Sequence, residues 1–255
     1  MNKTTKKSAA ADANPFFGFS MPRVDAQGLT GSLIAIEGAD GSGRSTQIAL
    51  LQEWLESNGY AVQLVGLRRS DLLRENIDEL LANTAVTRQT LTLMYAADFY
   101  DQLERTIIPA LRSGLVVLAD RYIFTLTARA AVRGVDRKYL DNLYQLALRP
   151  DLTFWLTVDP KVAIERELKK ASVINYWEAG RDMNLSADLY ESFTRYQTLL
   201  NREFERLATR YDFLRLDGET PVSAVNRELR RHIGAHLKIR SLRYTPSGAL
   251  AHLWK

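Results

Sequence analysis

Gly38-Ala39-Asp40-Gly41-Ser42-Gly43-Arg44-Ser45-Thr46 follows the spacing G-x-x-x-x-G-K-[ST] at every position but one, where arginine stands for lysine. Glycines at that spacing let a backbone curl until successive N–H groups and the start of a following helix face one anion, the chemistry of polyphosphate binding. Ser45 adds a hydroxyl suited to Mg2+. Arg44 keeps the positive charge of lysine, but its planar fork is bulkier than an ammonium and the two are not interchangeable. A second pair, Asp120-Arg121, follows the apolar run Leu115 to Ala119.

Other chemistries are poorly provided for. With no cysteine there is no disulfide, no thiolate nucleophile and no Cys-based metal site. The three histidines, His232, His236 and His252, all fall near the C-terminus, away from the loop and the Asp-Arg pair. No apolar run approaches the roughly 20 residues of a membrane span, and the basic start lacks the apolar stretch of a signal peptide, so a cytoplasmic protein is expected. Nine of the 34 basic side chains lie in residues 1–7 and 229–255, which contain no acid, leaving 25 basic against 30 acidic residues between them. The net charge of +4 therefore belongs to the ends and does not indicate a nucleic-acid-binding body.

Ser32 to Glu37 reads as a strand that runs into the glycine-rich turn, and Thr46 to Ser57 as the helix after it. Further strands are expected at Ala61 to Leu67, Leu115 to Ala119, Leu152 to Val158 and Phe213 to Leu216. Helices are expected at Leu72 to Leu81, Leu91 to Leu111, Lys138 to Leu148, from Pro160, from Ser186 to Arg210, and from Pro221 to Ile233. Short β-branched strands alternating with amphipathic helices predict a parallel sheet covered on both faces, with ligands at the C-terminal strand ends. Residues 1–30 read as a mobile tail that Phe16, Phe17 and Phe19 pin at its later part. Residues 31–238 form the expected domain, and 239–255 an extension that docks through Leu250, Leu253 and Trp254.

Leu33 to Leu51 (LIAIEGADGSGRSTQIALL), Tyr95 to Asp98 (YAAD), Ile107 to Leu111 (IIPAL), Leu115 to Tyr122 (LVVLADRY) and Arg149 to Pro160 (RPDLTFWLTVDP) resemble the thymidylate kinase family of nucleoside monophosphate kinases. The resemblance covers roughly residues 32–235. It implies a P-loop NTPase fold, three layers α/β/α around a five-stranded parallel sheet with a helical lid, here about 171–185. It implies ATP as phosphoryl donor, Mg2+ as cofactor, a nucleoside monophosphate as acceptor and a homodimer. Carried over by position, Gly38, Gly41, Ser42, Gly43, Arg44, Ser45 and Thr46 bind ATP, and Ser45 and Asp120 hold the metal. Asp40 matches a loop carboxylate near the acceptor, Arg121 the arginine on the acceptor phosphate, and Tyr95 the aromatic that stacks the base. Arg68 and Arg69 fall where the family places a second acceptor-phosphate arginine, Arg69 being preferred; Lys169, Lys170 and Arg181 surround the lid, and Arg181 is the arginine expected to close over the transferring group. Three positions depart from the family: Phe99 replaces a base-reading arginine, Leu126 a hydrogen-bonding position, and Arg129 an aromatic one.

Three functions follow. One is ATP- and Mg2+-dependent phosphorylation of a nucleoside monophosphate, dTMP by resemblance, with specificity altered by Phe99, Leu126 and Arg129. The second, motivated by Arg44 and those same departures, is a nucleotide-binding protein with little turnover and a regulatory or assembly role. The third is phosphoryl transfer to a non-nucleotide acceptor.

Overall fold

The computed structural model of the chain describes residues 14–82, 86–170, 174–240 and 244–254. Five strands, β1 (Ser32–Gly38), β2 (Val62–Gly66), β3 (Val116–Asp120), β4 (Leu152–Thr157) and β5 (Leu214–Asp217), pair in parallel in the order β2-β3-β1-β4-β5. Side chains alternate across a strand, so Leu33, Ala35, Val117, Ala119 and Trp155 enter one core. Ile34, Ile36, Val116, Leu118, Phe154 and Leu156 enter the other. Burial on both faces is why the strands read as unbroken apolar runs. Helices α1 (Arg44–Ser57) and α9 (Val222–Leu237) cover the second face, where Leu51, Trp54, Leu229 and Ile233 are buried. The first face is covered by α3 (Arg88–Gln102), α4 (Ile108–Arg112), α5 (Ile123–Val132), α6 (Arg137–Leu143) and α8 (Leu189–Tyr211). The chain is thus a three-layer α/β/α protein with helices α2 (Arg74–Ala82) and α7 (Pro160–Lys170) completing the set.

Two elements depart from the periodicity. The helix expected over Leu91 to Leu111 is interrupted by a π-helical turn, Leu103–Ile107, whose wide pattern ends with Ile108 N–H bonding Leu103 C=O. Pro109 explains it: proline has no N–H and its ring crowds the carbonyl four residues back, so the ladder widens just ahead of it. Helix α5 was not expected at all. Its sequence, IFTLTARAAV, is buried at eight of ten positions and therefore has no polar stripe to give a helical period.

Outside the sheet, Phe16 is fully buried and bridges antiparallel to Leu148, while Arg149 Nε donates to Phe16 C=O at 3.0 Å. Phe17 packs edge-on against Phe124 and Tyr211, whereas Phe19 is 69% exposed. At the other end Tyr244 and Trp254 flank the Arg230 guanidinium, and Leu250 and Leu253 are half-buried. The lid stretch falls outside the described residues at 171–173, and from Ile174 it consists of turns around one 3-10 helix, Arg181–Met183. Among the described residues no helix is long and apolar enough to cross a membrane.

Candidate active site

Strand β1 delivers the glycine-rich loop to the C-terminal edge of the sheet, and α1 begins at once with Arg44, so Ser45 and Thr46 lie in its first turn. Gly43 has φ 91° and Gly41 φ 75°, left-handed values that side chains rarely adopt. At Gly41 space is also lacking, since a Cβ would stand 2.6 Å from Ala163 C=O on α7. The β1–β3 register sets Asp120 opposite Ile36, which puts the acid and arginine at the end of β3 beside the loop. An open cleft of 590 Å3 lies there, lined by the loop from Asp40 to Thr46 together with Arg68, Arg69, Tyr95, Asp120, Arg121, Arg129, Arg166, Glu167, Trp177 and Glu178.

Arg44 is folded under the loop. Its Nε is 3.1 Å from Asp120 Oδ1, and its Nη1 donates to Gly38 C=O at 2.6 Å, to Ser42 Oγ at 3.1 Å and to Ala39 C=O. Ser45 Oγ donates to the other carboxylate oxygen, Asp120 Oδ2, at 3.0 Å. Burial alone would raise the Asp120 carboxyl, but Arg44 and Arg121 outweigh it and hold it below the usual range.

Asp40 is buried and carries the densest set of partners. Arg121 Nη2 donates to Oδ1, Arg129 Nη2 lies 3.2 and 3.1 Å from the two oxygens, and Gln197 Nε2 donates to Oδ2 at 3.2 Å. Burial pushes this carboxyl up, and Arg121, Arg129 and Arg44 together pull it well below the ordinary carboxylate range. Arg121 itself has φ 73° and donates from Nη1 to Gly38 C=O at 3.1 Å; burial, then the nearby Arg44, push its guanidinium down to about 10. A non-glycine residue held there stores on the order of 1–3 kcal/mol, which its neighbours must offset. Glu37 does so from below: Oε1 accepts from Tyr122 N–H at 2.8 Å and Oε2 from Thr125 Oγ1, bracketing the turn. Burial pushes the Glu37 carboxyl up to about 7.

Several expected residues do not reach the cleft. Arg181 turns to the carbonyls of Ser186 and Ala187 at 2.7 and 2.9 Å, where it ties the lid to the entry of α8. Arg166, on α7, is the arginine of this region that reaches the loop: its Nη1 donates to Gly41 C=O at 3.2 Å and Gly218 C=O at 2.9 Å. Phe99 packs edge-on against Tyr100, Tyr122 and Tyr144 within the core, because its helix face looks toward α5 rather than the opening. Leu126 lines a 20 Å3 apolar recess beside the cleft, with Tyr95, Leu91, Arg129 and Trp177. Arg69 lines the cleft with no partner among the described residues, while Arg68 pairs with Asp78 at 2.9 Å.

Sequence reasoning missed Glu37, Arg133, Arg166, Trp177, Glu178 and Gln197. Arg133 donates to Asp182, to Trp177 C=O at 3.0 Å and to Tyr196 Oη at 2.6 Å, and so clips the lid onto α5. Trp177 Nε1 in turn reaches Leu81 C=O at 2.8 Å. None of these had a distinguishing signal except Glu37, an acid at the end of an otherwise apolar strand.

A glycine-rich loop between a central parallel strand and a helix, with an acid at the end of the neighbouring strand, defines a P-loop nucleotide-binding protein. Within that class, the thymidylate kinase family model matches residues 36–229. The probable thymidylate kinase 2 of Saccharolobus solfataricus is 37% identical over 82% of this chain and 98% of its own length. The thymidylate kinase of Pelobacter propionicus is 39% identical over 55% of this chain and 67% of its own, and that of Caldicellulosiruptor saccharolyticus 35% identical over 54% and 70%. The chain belongs to the thymidylate kinase family, whose members are nucleoside monophosphate kinases.

Proposed function

We propose that the chain transfers the γ-phosphoryl group of ATP to a nucleoside monophosphate and accepts dTMP, as the names of its relatives indicate. The observation that carries this reading is the meeting of the loop, Asp120-Arg121 and Asp40 at one cleft. The donor phosphates lie along the loop N–H groups and the start of α1. Arg121 and Arg69 hold the acceptor phosphate, and Tyr95 supports the base. The acceptor phosphate is its own nucleophile, so no general base is needed and the ionised, arginine-held Asp40 orients the acceptor without moving a proton.

Ser45 Oγ and Asp120 Oδ2, a hydroxyl and a carboxylate 3.0 Å apart facing the cleft, form a hard oxygen pair that fits Mg2+. When bound, the ion neutralises charge on the transferring phosphates. The rest of the charge work falls to Arg44, Arg121 and Arg166.

Base selection is relaxed in this reading. Leu126 cannot hydrogen-bond a ring edge, and Phe99 is enclosed by three rings. Each missing bond to a base edge removes roughly 1–3 kcal/mol of discrimination. An ADP-release assay with ATP and dTMP, dUMP, UMP, CMP and AMP tests both parts. Turnover with dTMP, led over the others by well under about a thousandfold, is expected; ATP binding without turnover on any of them leaves the nucleotide-binding protein as the better account.

A further inference from the structure

Arg44 stands where the recurring loop carries lysine, and its fork makes contacts an ammonium cannot make together. Nε faces Asp120 Oδ1 at 3.1 Å while Nη1 is held by Gly38 C=O, Ala39 C=O and Ser42 Oγ. Nη2 has no partner among the described residues, and the side chain lines the cleft. The Arg44 and Asp120 side chains are only 8% and 15% exposed, so water screens this pair weakly. One oxygen of the candidate metal-binding carboxylate therefore already faces a full positive charge, and the other accepts from Ser45.

We propose that Arg44 takes over part of the divalent cation's task in this chain: it neutralises Asp120 and presents Nη2 to a nucleotide phosphate, so that the protein adds little to Mg2+ binding beyond what the nucleotide's own phosphates provide. The inference rests on the loop being the nucleotide site, as proposed above. A carboxylate that already shares its charge with a guanidinium attracts a dication less, and the bound dication meets the arginine as a like charge.

Mn2+, a hard octahedral ion, serves as the probe, titrated into the ADP-bound protein and followed by the electron paramagnetic resonance of the free ion. ADP on the unaltered chain is expected to hold Mn2+ about as tightly as ADP free in solution. Arg44→Lys, whose ammonium keeps the charge but cannot hold the loop carbonyls and Asp120 together, is expected to hold it about tenfold more tightly, the scale of moving one weakly screened charge off the carboxylate. Arg44→Gln, which removes the charge altogether, is expected to gain as well and guards against a lysine that settles on Asp120. Two results overturn the proposal: no gain in either variant, or an unaltered complex that already holds Mn2+ more tightly than free ADP and loses this in Asp120→Asn. Calorimetry with ADP in the presence of a chelator separates the levels. ADP that binds while the Mn2+ results reverse overturns this inference alone, and ADP that does not bind overturns the nucleotide-site reading and this inference with it.

Discussion

Arg129, on the helix after the third strand, grips the loop carboxylate of Asp40 with one nitrogen, 3.2 and 3.1 Å from its two oxygens. The pair joins α5 to the phosphate loop across the cleft, with side chains 16% and 6% exposed. The family resemblance puts an aromatic ring at this position, so the cation changes both the charge of the cleft and the anchoring of the loop.

Arg129→Tyr should therefore destabilise the fold by about 1–3 kcal/mol, because Asp40 keeps Arg121 but loses one partner in a place where water does not replace it. Urea unfolding at neutral pH measures the loss. Unchanged stability would show that Arg121 and Gln197 suffice to satisfy the carboxylate.

Arg121→Ala should raise the KM for the acceptor by about ten- to a hundredfold, the scale of one charge-assisted bond to phosphate, with a smaller effect on ATP. Steady-state kinetics with each substrate varied in turn checks it. Equal losses for both would point to collapse of the loop, since Arg121 also donates to Gly38 C=O.

Glu37 makes stability depend on pH. Its folded-state value of about 7 lies above the ordinary 4.5, so the folded chain binds the extra proton. Its contribution to stability falls as pH rises from about 4.5 through 7 and is level above that. Glu37→Gln, which keeps an acceptor for Tyr122 N–H, should flatten this slope. Comparing the two chains by denaturant unfolding from pH 5 to 8 isolates Glu37 from His232, whose depressed value acts in the opposite direction. Parallel pH curves for the two would refute it.

Phe16→Ala should cost about 3–5 kcal/mol, the usual price of emptying a fully buried aromatic site. Removing residues 1–13, which hold no large apolar side chain beyond Met1, should leave the melting temperature within a few degrees. Differential scanning calorimetry on the two variants distinguishes the anchor from the tail.

The phosphate loop, the five strands and the Asp120-Arg121 pair were legible because each is contiguous and carries its own local chemistry: glycine spacing, an apolar run, an acid beside a base. What α5 does was not legible, since a helix buried on nearly all sides loses the polar stripe that marks a period. The partners were hidden for a different reason. Arg44 meets Asp120 across 76 residues and Arg129 meets Asp40 across 89, and which arginine faces which acid depends on strand register and helix rotation. Arg181 and Arg166 make the same point in reverse: both are arginines near the lid, and only the packing of α7 against the loop turns Arg166 toward Gly41 while Arg181 bonds the carbonyls before α8. Residue type and spacing marked the end of the first strand as a place suited to a polyphosphate; the tertiary structure decided which cations stand around it, because charge is a property of a residue and proximity is not.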